Sequence, residues 1–446
     1  MSIVLDKTRK PLPRKTVIAA AVGNFVEWYD AIVFAYAAAA IGNVFYGDAS
    51  PAIQLVAAFS TFAVTYAVRP LGGIILGIIG DKIGRKKVLT FTILLMGAGT
   101  TAIGLLPGYD TIGILAPILL IVCRVIQGIG AGGELMSAVT FVMEHVPNDR
   151  RGFGVSLIQF GTGLAYPAAF VVSFALMQFG GSDWFNETGW RWLFLSSAPL
   201  ALVALYIRSA LPESPVFASV KETGENLRNP GKEVLKVHKV KMCAVLLFGA
   251  VFMGNSILFL AYVPTYLRGR TDISPATVSV ITLVAFVLFA VSIPFRGVVL
   301  DRIGRHRSRL GFVTAFTVAL IPSYWLISQS NTAAILAGMC TIAVLLGSLY
   351  PMYPLVAAEA MPPAVRTTGS NTAYNVGVAV IMGPIVVIAL QLTEWFGPVA
   401  PAYYGAFLGV ISIAAALIWR KRLEPDTSFL TNAKGAEISK VARAGL

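Results

Sequence analysis

Residues 77–87 read Gly-Ile-Ile-Gly-Asp-Lys-Ile-Gly-Arg-Lys-Lys, and residues 297–307 read Gly-Val-Val-Leu-Asp-Arg-Ile-Gly-Arg-His-Arg. Gly77, Asp81, Ile83, Gly84 and Arg85 recur as Gly297, Asp301, Ile303, Gly304 and Arg305, each 220 residues on, about half of the 446-residue chain. Each copy ends a long apolar segment with a burst of charge. A second pair lies nearby: Glu144, Pro147 and Arg151 match Glu359, Pro362 and Arg366 at a spacing of 215 residues. Doubled membrane loops at half-chain spacing imply two related helical bundles that rock against each other.

The composition supports this. The chain is 56% hydrophobic and 13% charged, with a mean hydropathy of +0.75; soluble domains carry about 25% charged residues. Apolar runs long enough to cross ~30 Å of hydrocarbon recur along the whole length. They fall at 17–45, 52–79, 88–107, 112–142, 153–179, 190–211, 241–267, 276–299, 309–328, 332–357, 369–392 and 401–419. The fold class is therefore an all-α membrane protein of twelve transmembrane helices in two pseudo-symmetric six-helix bundles. The expected divisions are a tail 1–15, a bundle 16–211, a polar linker 212–240, a second bundle 241–423 and a tail 424–446 that is expected to be disordered. The basic N-terminus is followed by no small-residue cleavage site, so span one is expected to be retained.

The net charge of +13 is distributed by topology. Lysines and arginines cluster before span one, after spans two, four, eight, ten and twelve, and between spans six and seven. The opposite loops hold almost none, Arg268 and Arg270 excepted. By the positive-inside rule both termini are expected in the cytoplasm of a multi-pass cell-membrane protein. The basicity then faces anionic lipid and is not a nucleic-acid surface. Cys123, Cys243 and Cys340 all fall in apolar spans and read as buried thiols. His145, His238 and His306 lack metal-ligand spacing, and no phosphate-binding G-x-x-x-x-G-K-[ST] occurs. No metal, cofactor or enzyme chemistry is expected, and the partners are small solutes, protons and lipid, with the chain acting as a monomer.

In the doubled loop, Gly77, Gly84 and Gly304 allow tight turns and close helix approach. Asp81 and Asp301 can pair with a basic residue or helix end of the other bundle in one state only. With Arg85, Arg305, Glu144, Arg151, Glu359 and Arg366 they form an expected cytoplasmic gate; a merely solvated loop is the plainer alternative.

Charges at bilayer depth cost several kcal/mol, about 2.5–3.5 at a helix centre, and mark function. Asn24, Glu27 and Asp30 recur every third residue on one face of span one. At 1.5 Å per residue Asp30 lies ~20 Å from the inner side, and Arg124 of span four ~18 Å from the outer side, at similar depth. Arg124, Gln127 and Glu134 share one arc of span four. A neighbouring arginine favours an ionised carboxyl and burial opposes it, so small solvation changes can switch the proton. A static buried ion pair is the alternative, although such pairs stabilise poorly. Arg124 is the one cation counted at midplane, which suits a monocarboxylate or zwitterion held by two parallel hydrogen bonds. The second half shows no midplane charge.

Polar and aromatic residues at helical spacing could line a substrate cavity: Gln159 in span five, Asn255 and Tyr262 in span seven, Tyr374 and Asn375 in span eleven. Trp28 and Tyr29 could cage a quaternary ammonium or could face lipid.

Arg69-Pro-Leu-Gly-Gly with the Gly-x-x-Gly-Asp-Lys-Ile-Gly-Arg-Lys-Lys loop resembles the signature of the major facilitator superfamily. Gly23-Asn-Phe-Val-Glu-Trp-Tyr-Asp30 and Arg124-Val-Ile-Gln-Gly-Ile-Gly-Ala-Gly-Gly-Glu134 resemble its metabolite:proton symporters, which carry proline and betaine, α-ketoglutarate, citrate or shikimate. The resemblance covers nearly the whole chain. It implies alternating access, with Asp30 as the proton site and Arg124 as its partner, as in the superfamily's sugar–proton porters. Tyr262-Val-Pro-Thr-Tyr-Leu267 and Pro401-Ala-Tyr-Tyr404 look most like the proline/betaine members. A proton-coupled efflux antiporter of the same fold is the nearest rival; span five, Gly161-Thr-Gly-Leu-Ala-Tyr-Pro-Ala-Ala, lacks the glycine pairs of drug antiporters.

Overall fold

The computed structural model describes residues 14–47, 49–209, 213, 230–270 and 272–425. The expectations for residues 1–13, for most of the linker and for the tail beyond 425 fall outside the described residues.

The membrane-crossing helices are α1 (Arg14–Phe45), α2 (Pro51–Ile83), α3 (Arg85–Leu105), α4 (Leu115–His145), α5 (Arg151–Trp184), α6 (185–209), α7 (Lys239–Arg268), α8 (Pro275–Ile303), α9 (Arg305–Ser328), α10 (Thr332–Glu359), α11 (Pro363–Phe396) and α12 (Ala400–Ile418). Among the described residues, eleven continuous apolar helical stretches account for these twelve crossings, because the 62-residue stretch Asn148–Ser209 holds both α5 and α6. Within α5 itself, Gly181 at φ 80° departs from helical backbone. Span four starts at Leu115, later than expected, because Gly113 at φ 56° separates it from the short helix Tyr109–Ile112.

The helix starts follow local chemistry. Pro51 and Pro275 open α2 and α8, where a missing N–H costs nothing. Ser274 accepts the Thr277 N–H at 3.1 Å, and Asn331 accepts that of Ala333 at 2.9 Å. Gly84 (φ 117°) and Gly304 (φ 88°) let α2 turn into α3 and α8 into α9 within one residue, in a backbone region that L side chains rarely adopt.

The first six helices pack as one bundle and the last six as another, and they meet along α5–α8 and α2–α11. These seams are close because they are small. A Cβ on Gly77 would lie 2.8 Å from Thr368 Cα, and one on Gly297 would lie 2.7 Å from Gly152 O. The polar opening of α11, weakly apolar in sequence, is explained by its position: Thr367, Thr368, Ser370, Asn371 and Asn375 are buried against the other bundle.

The cysteine expectation needs correction. Cys123 is buried, but Cys340 is half-buried and Cys243 is exposed. In lipid, an apolar run can face outward at no hydrophobic cost, so apolar sequence does not imply a buried side chain.

Candidate transport site and basic-end latches

A small, partly open cavity lies inside the first bundle. Asp30 and Glu27 enter it from α1, Thr65, Tyr66 and Arg69 from α2, Met96 from α3, and Arg124, Gln127 and Ala131 from α4. Two charged groups of each sign thus converge at one depth. They are organised as two systems.

The first centres on Asp30. Its carboxylate accepts hydrogen bonds from Thr100 Oγ1 on α3, at 2.6 Å, and from Ser197 Oγ on α6. Gln127 Nε2 donates to Thr100 Oγ1 at 2.5 Å, and Arg124 Nη1 donates to Gln127 Oε1 at 2.9 Å. The guanidinium carbon sits 3.4 Å from the centre of the Phe34 ring. Asp30 and Arg124 share the cavity as expected, but the path between them runs through two uncharged side chains.

The second is an ion pair between Glu27 Oε1 and Arg69 Nη2, 3.0 Å apart. Both side chains are almost wholly buried, 1% and 2% exposed. Arg69 lies over the rings of Tyr66, at 5.2 Å, and Trp28, at 5.8 Å. The facing bundle supplies an aromatic wall: Phe252 contacts Tyr350 and Tyr353 at 4.9 and 5.1 Å between ring centres, and Tyr353 neighbours Tyr374 at 6.3 Å. The Tyr353 and Tyr374 hydroxyls are buried with no hydrogen-bond partner among the described residues. Tyr166 bridges the walls, 6.1 Å from Trp28 and 5.6 Å from Phe286.

At the basic end the doubled sequence becomes a doubled structure. Asp81 accepts the main-chain N–H of Thr367 at 3.3 Å and of Thr368 at 2.8 Å, capping α11 of the other bundle. Asp301 accepts those of Gly152 and Phe153, both at 2.8 Å, capping α5. Arg85 reaches Glu144 at 3.4 Å and donates to Pro363 O at 2.9 Å. Its counterpart Arg305 reaches Glu359 at 3.2 Å and donates to Asn148 O at 3.2 Å. Glu144 also pairs with Arg366 at 3.1 Å, and Glu359 with Arg151 at 3.5 Å, each across the seam. Every member has its partner's equivalent. The latches differ in burial: the Asp81–Arg85 side chains are at most 1% exposed, those of Asp301 and Arg305 9% and 17%.

A family profile described as Major Facilitator Superfamily matches residues 20–384. The chain belongs to the major facilitator superfamily. The chain is 35% identical over 421 residues to the proline/betaine transporter of Escherichia coli strain K12, covering 92% of this chain and 83% of that one. It is 34% identical over 444 residues to the glycine betaine/proline/ectoine/pipecolic acid transporter OusA of Dickeya dadantii, covering 94% and 87%. In fold it resembles the proton:xylose symporter XylE, with a TM-score of 0.77 at 16% identity over 91% of this chain and 95% of that one. This facilitator is accordingly a multi-pass membrane transporter and not an enzyme.

Several candidate residues of the facilitator lie away from the cavity. Asn24 binds Ile158 O at 3.3 Å, Gln159 Oε1 at 3.2 Å and the Thr162 hydroxyl, fastening α1 to α5. Gln159 itself donates to Tyr350 O at 3.0 Å across the seam. Tyr29 turns into its own bundle, 3.0 Å from the Ser196 hydroxyl. Asn255 donates to Gly405 O at 3.3 Å, and the Tyr262 hydroxyl meets Thr393, so both pack within the second bundle. A π-helical turn at Leu258–Tyr262 follows Asn255 and widens the helical spacing there. Asn375 donates to Gly132 O at 2.7 Å, joining α11 to α4. Glu134 pairs with Arg208 of α6 and accepts from Thr92.

Sequence reasoning missed Arg69, and the count of one midplane cation is corrected to two. The signal was available: Arg69 stands twelve residues before Asp81, ~18 Å deeper along α2. Thr100, Ser197 and Arg208 carried no comparable signal, since single hydroxyls and a helix-end arginine are common in any span.

Proposed function

We propose that this facilitator is a proton-coupled symporter that imports a small zwitterion carrying a carboxylate, of the proline or betaine kind. The observation that carries the reading is the Glu27–Arg69 pair, 3.0 Å apart and set against aromatic faces. A solute with both charges a few ångströms apart can replace each partner for the other. Its carboxylate takes the guanidinium through charge-assisted hydrogen bonds, and its ammonium takes Glu27 with the rings of Trp28 and Tyr66. A buried pair that is opened without replacement loses about 3–5 kcal/mol, which favours a ligand of matching charges over a neutral one. The named substrates of the proline/betaine relatives agree with this chemistry.

In this reading Asp30 carries the coupling proton, held by the Thr100 and Ser197 hydroxyls. The basic end, with the chain termini and the linker, faces the cytoplasm, and the latches close that side. One chain holds every element required, so a monomer suffices.

The test is uptake of labelled proline and glycine betaine into proteoliposomes under an imposed inward proton gradient. Accumulation that a protonophore abolishes is expected. Asp30→Asn is expected to lose accumulation and keep counterflow exchange. Gradient-driven expulsion of the solute, the behaviour of an antiporter, overturns the reading.

A further inference from the structure

Arginine can only donate hydrogen bonds. That fact fixes the direction of the chain that joins Arg124 to Asp30. Because Arg124 Nη1 lies 2.9 Å from the Gln127 side chain, the amide must present Oε1 there. Its Nε2 then faces Thr100 and donates to Oγ1. With a lone pair so engaged, the Thr100 hydroxyl donates its single proton to Asp30 Oδ2, 2.6 Å away. Three donors therefore point one way, from guanidinium to carboxylate. Gln127, Thr100 and Arg124 are all nine-tenths or more buried, so water does not compete for these groups.

We infer that Thr100 and Gln127 are positioning residues that make Arg124 respond to the protonation of Asp30. The inference rests on the reading of Asp30 as the proton site. When Asp30 takes a proton, its new O–H must itself donate to a hydroxyl oxygen. The Thr100 or Ser197 hydroxyl then turns its own hydrogen to a carbonyl one turn back in its helix, which helical Thr and Ser do readily. The pull along the chain ends, because its terminal acceptor has lost its charge. Gln127 holds the Arg124 Nη1 less firmly, and the guanidinium is freed to share with Arg69 the carboxylate of the solute in the cavity. The proton is conserved throughout: it stays on Asp30, and only hydrogen-bond direction passes along the relay.

Other charged or titratable groups facing Asp30 are few. Its own helix contributes Glu27 and Tyr29, α2 contributes Tyr66 and Arg69, and α4 contributes Arg124, next to which stands Cys123. From α3 and α6 come the hydroxyls of Thr100 and Ser197. Arg69 is committed to Glu27, which leaves the relay as the built connection to a second cation.

Binding linkage supplies the test, since a proton that favours substrate must be favoured by it equally. In the wild type, KM for proline in proteoliposomes, measured where substrate leaves faster than the carrier turns over and KM reports binding, should change by about tenfold per pH unit where one proton accompanies one substrate. Gln127→Met, of similar length but without the amide, and Thr100→Val should flatten this to less than about twofold per unit. Thr100→Ser should keep the wild-type slope. Asp30→Asn is the control: a slope retained there means that Asp30 is not the proton site. A slope lost in Asp30→Asn but retained in Gln127→Met overturns the relay alone. Where a variant is too slow for transport assays, proton uptake by the purified protein on adding saturating proline, read with a pH dye, replaces KM. The wild type should take up protons and Gln127→Met should not; undiminished uptake by a folded Gln127→Met overturns the proposal.

Discussion

The carboxylate of Asp81 accepts the main-chain N–H of Thr368 at 2.8 Å, so the end of α2 in the first bundle caps a helix of the second. A cap of this type is worth about 1–2 kcal/mol, and on the proposed latch reading it is made only while the basic end is closed. Asp81→Ala should therefore shift the resting population toward the form open at the basic end by roughly five- to thirty-fold. Labelling of a cysteine placed in the seam, from that side of the membrane, measures it. Asp301→Ala should act in the same direction through Gly152 and Phe153. Unchanged labelling in both would remove the latch reading.

The glycines of the doubled loop divide into two kinds. Gly77 needs to be small because Thr368 Cα would lie 2.8 Å from its Cβ. Gly84 needs to be glycine because of its φ of 117°. Gly77→Val should open the basic end with little loss of thermal stability, as the crowding is relieved on opening. Gly84→Ala should lower Tm without redistributing the two forms, because the turn is required in both; the cost is about 1–2 kcal/mol.

The Glu27–Arg69 pair should show strong non-additivity. Arg69→Ala leaves a buried carboxylate alone and should destabilise the protein by about 3–5 kcal/mol. Glu27→Gln with Arg69→Gln should be milder than that single change, since no uncompensated charge remains. Thermal unfolding in detergent checks the order. A double variant that is worse than Arg69→Ala contradicts the pairing.

Arg268, one of the two basic exceptions on the far side, has its guanidinium 5.8 Å from the Tyr36 ring of the other bundle. Tyr36 in turn packs against Phe170 at 6.2 Å. This contact bridges α1 and α7 opposite the latches. Arg268→Ala should loosen that side by about 0.5–1 kcal/mol, visible as a two- to fivefold rise in labelling from outside. Labelling that falls instead would show that the contact holds the far side open.

The fold was legible because lipid makes length and polarity do the same work in every span. The paired loops were legible because charge at a membrane edge has few reasons to repeat at one offset. The site was only half legible. Asp30 and Arg124 stand out as charges at depth, whereas Arg69 was hidden by its place in a motif attributed to the loop. Trp28 and Tyr29 are sequence neighbours with opposite surroundings, one over Arg69 and one beside Ser196, and helical spacing does not say which face meets which helix. Asn255 and Tyr262 turn into their own bundle, and no residue in Leu-Phe-Leu-Ala-Tyr announces the π turn that follows Asn255. Tyr350 and Tyr353, each directly before a proline inside α10, gave no polar neighbour to flag them.

The two latches have one more consequence. Asp81 of the first half caps the fifth helix of the second, and Asp301 of the second half caps the fifth helix of the first. Such reciprocity, in which i meets j and j meets i, is the geometry of an isologous dimer. A single six-helix ancestor would already have carried both the plug and the socket, and two copies would have fastened to each other twice over. Fusion into one chain then freed the halves to diverge inside while tying them together at the rim. A charge change at Glu144 or Arg366 leaves its partner in the opposite half unmatched, so each half constrains the other at the rim.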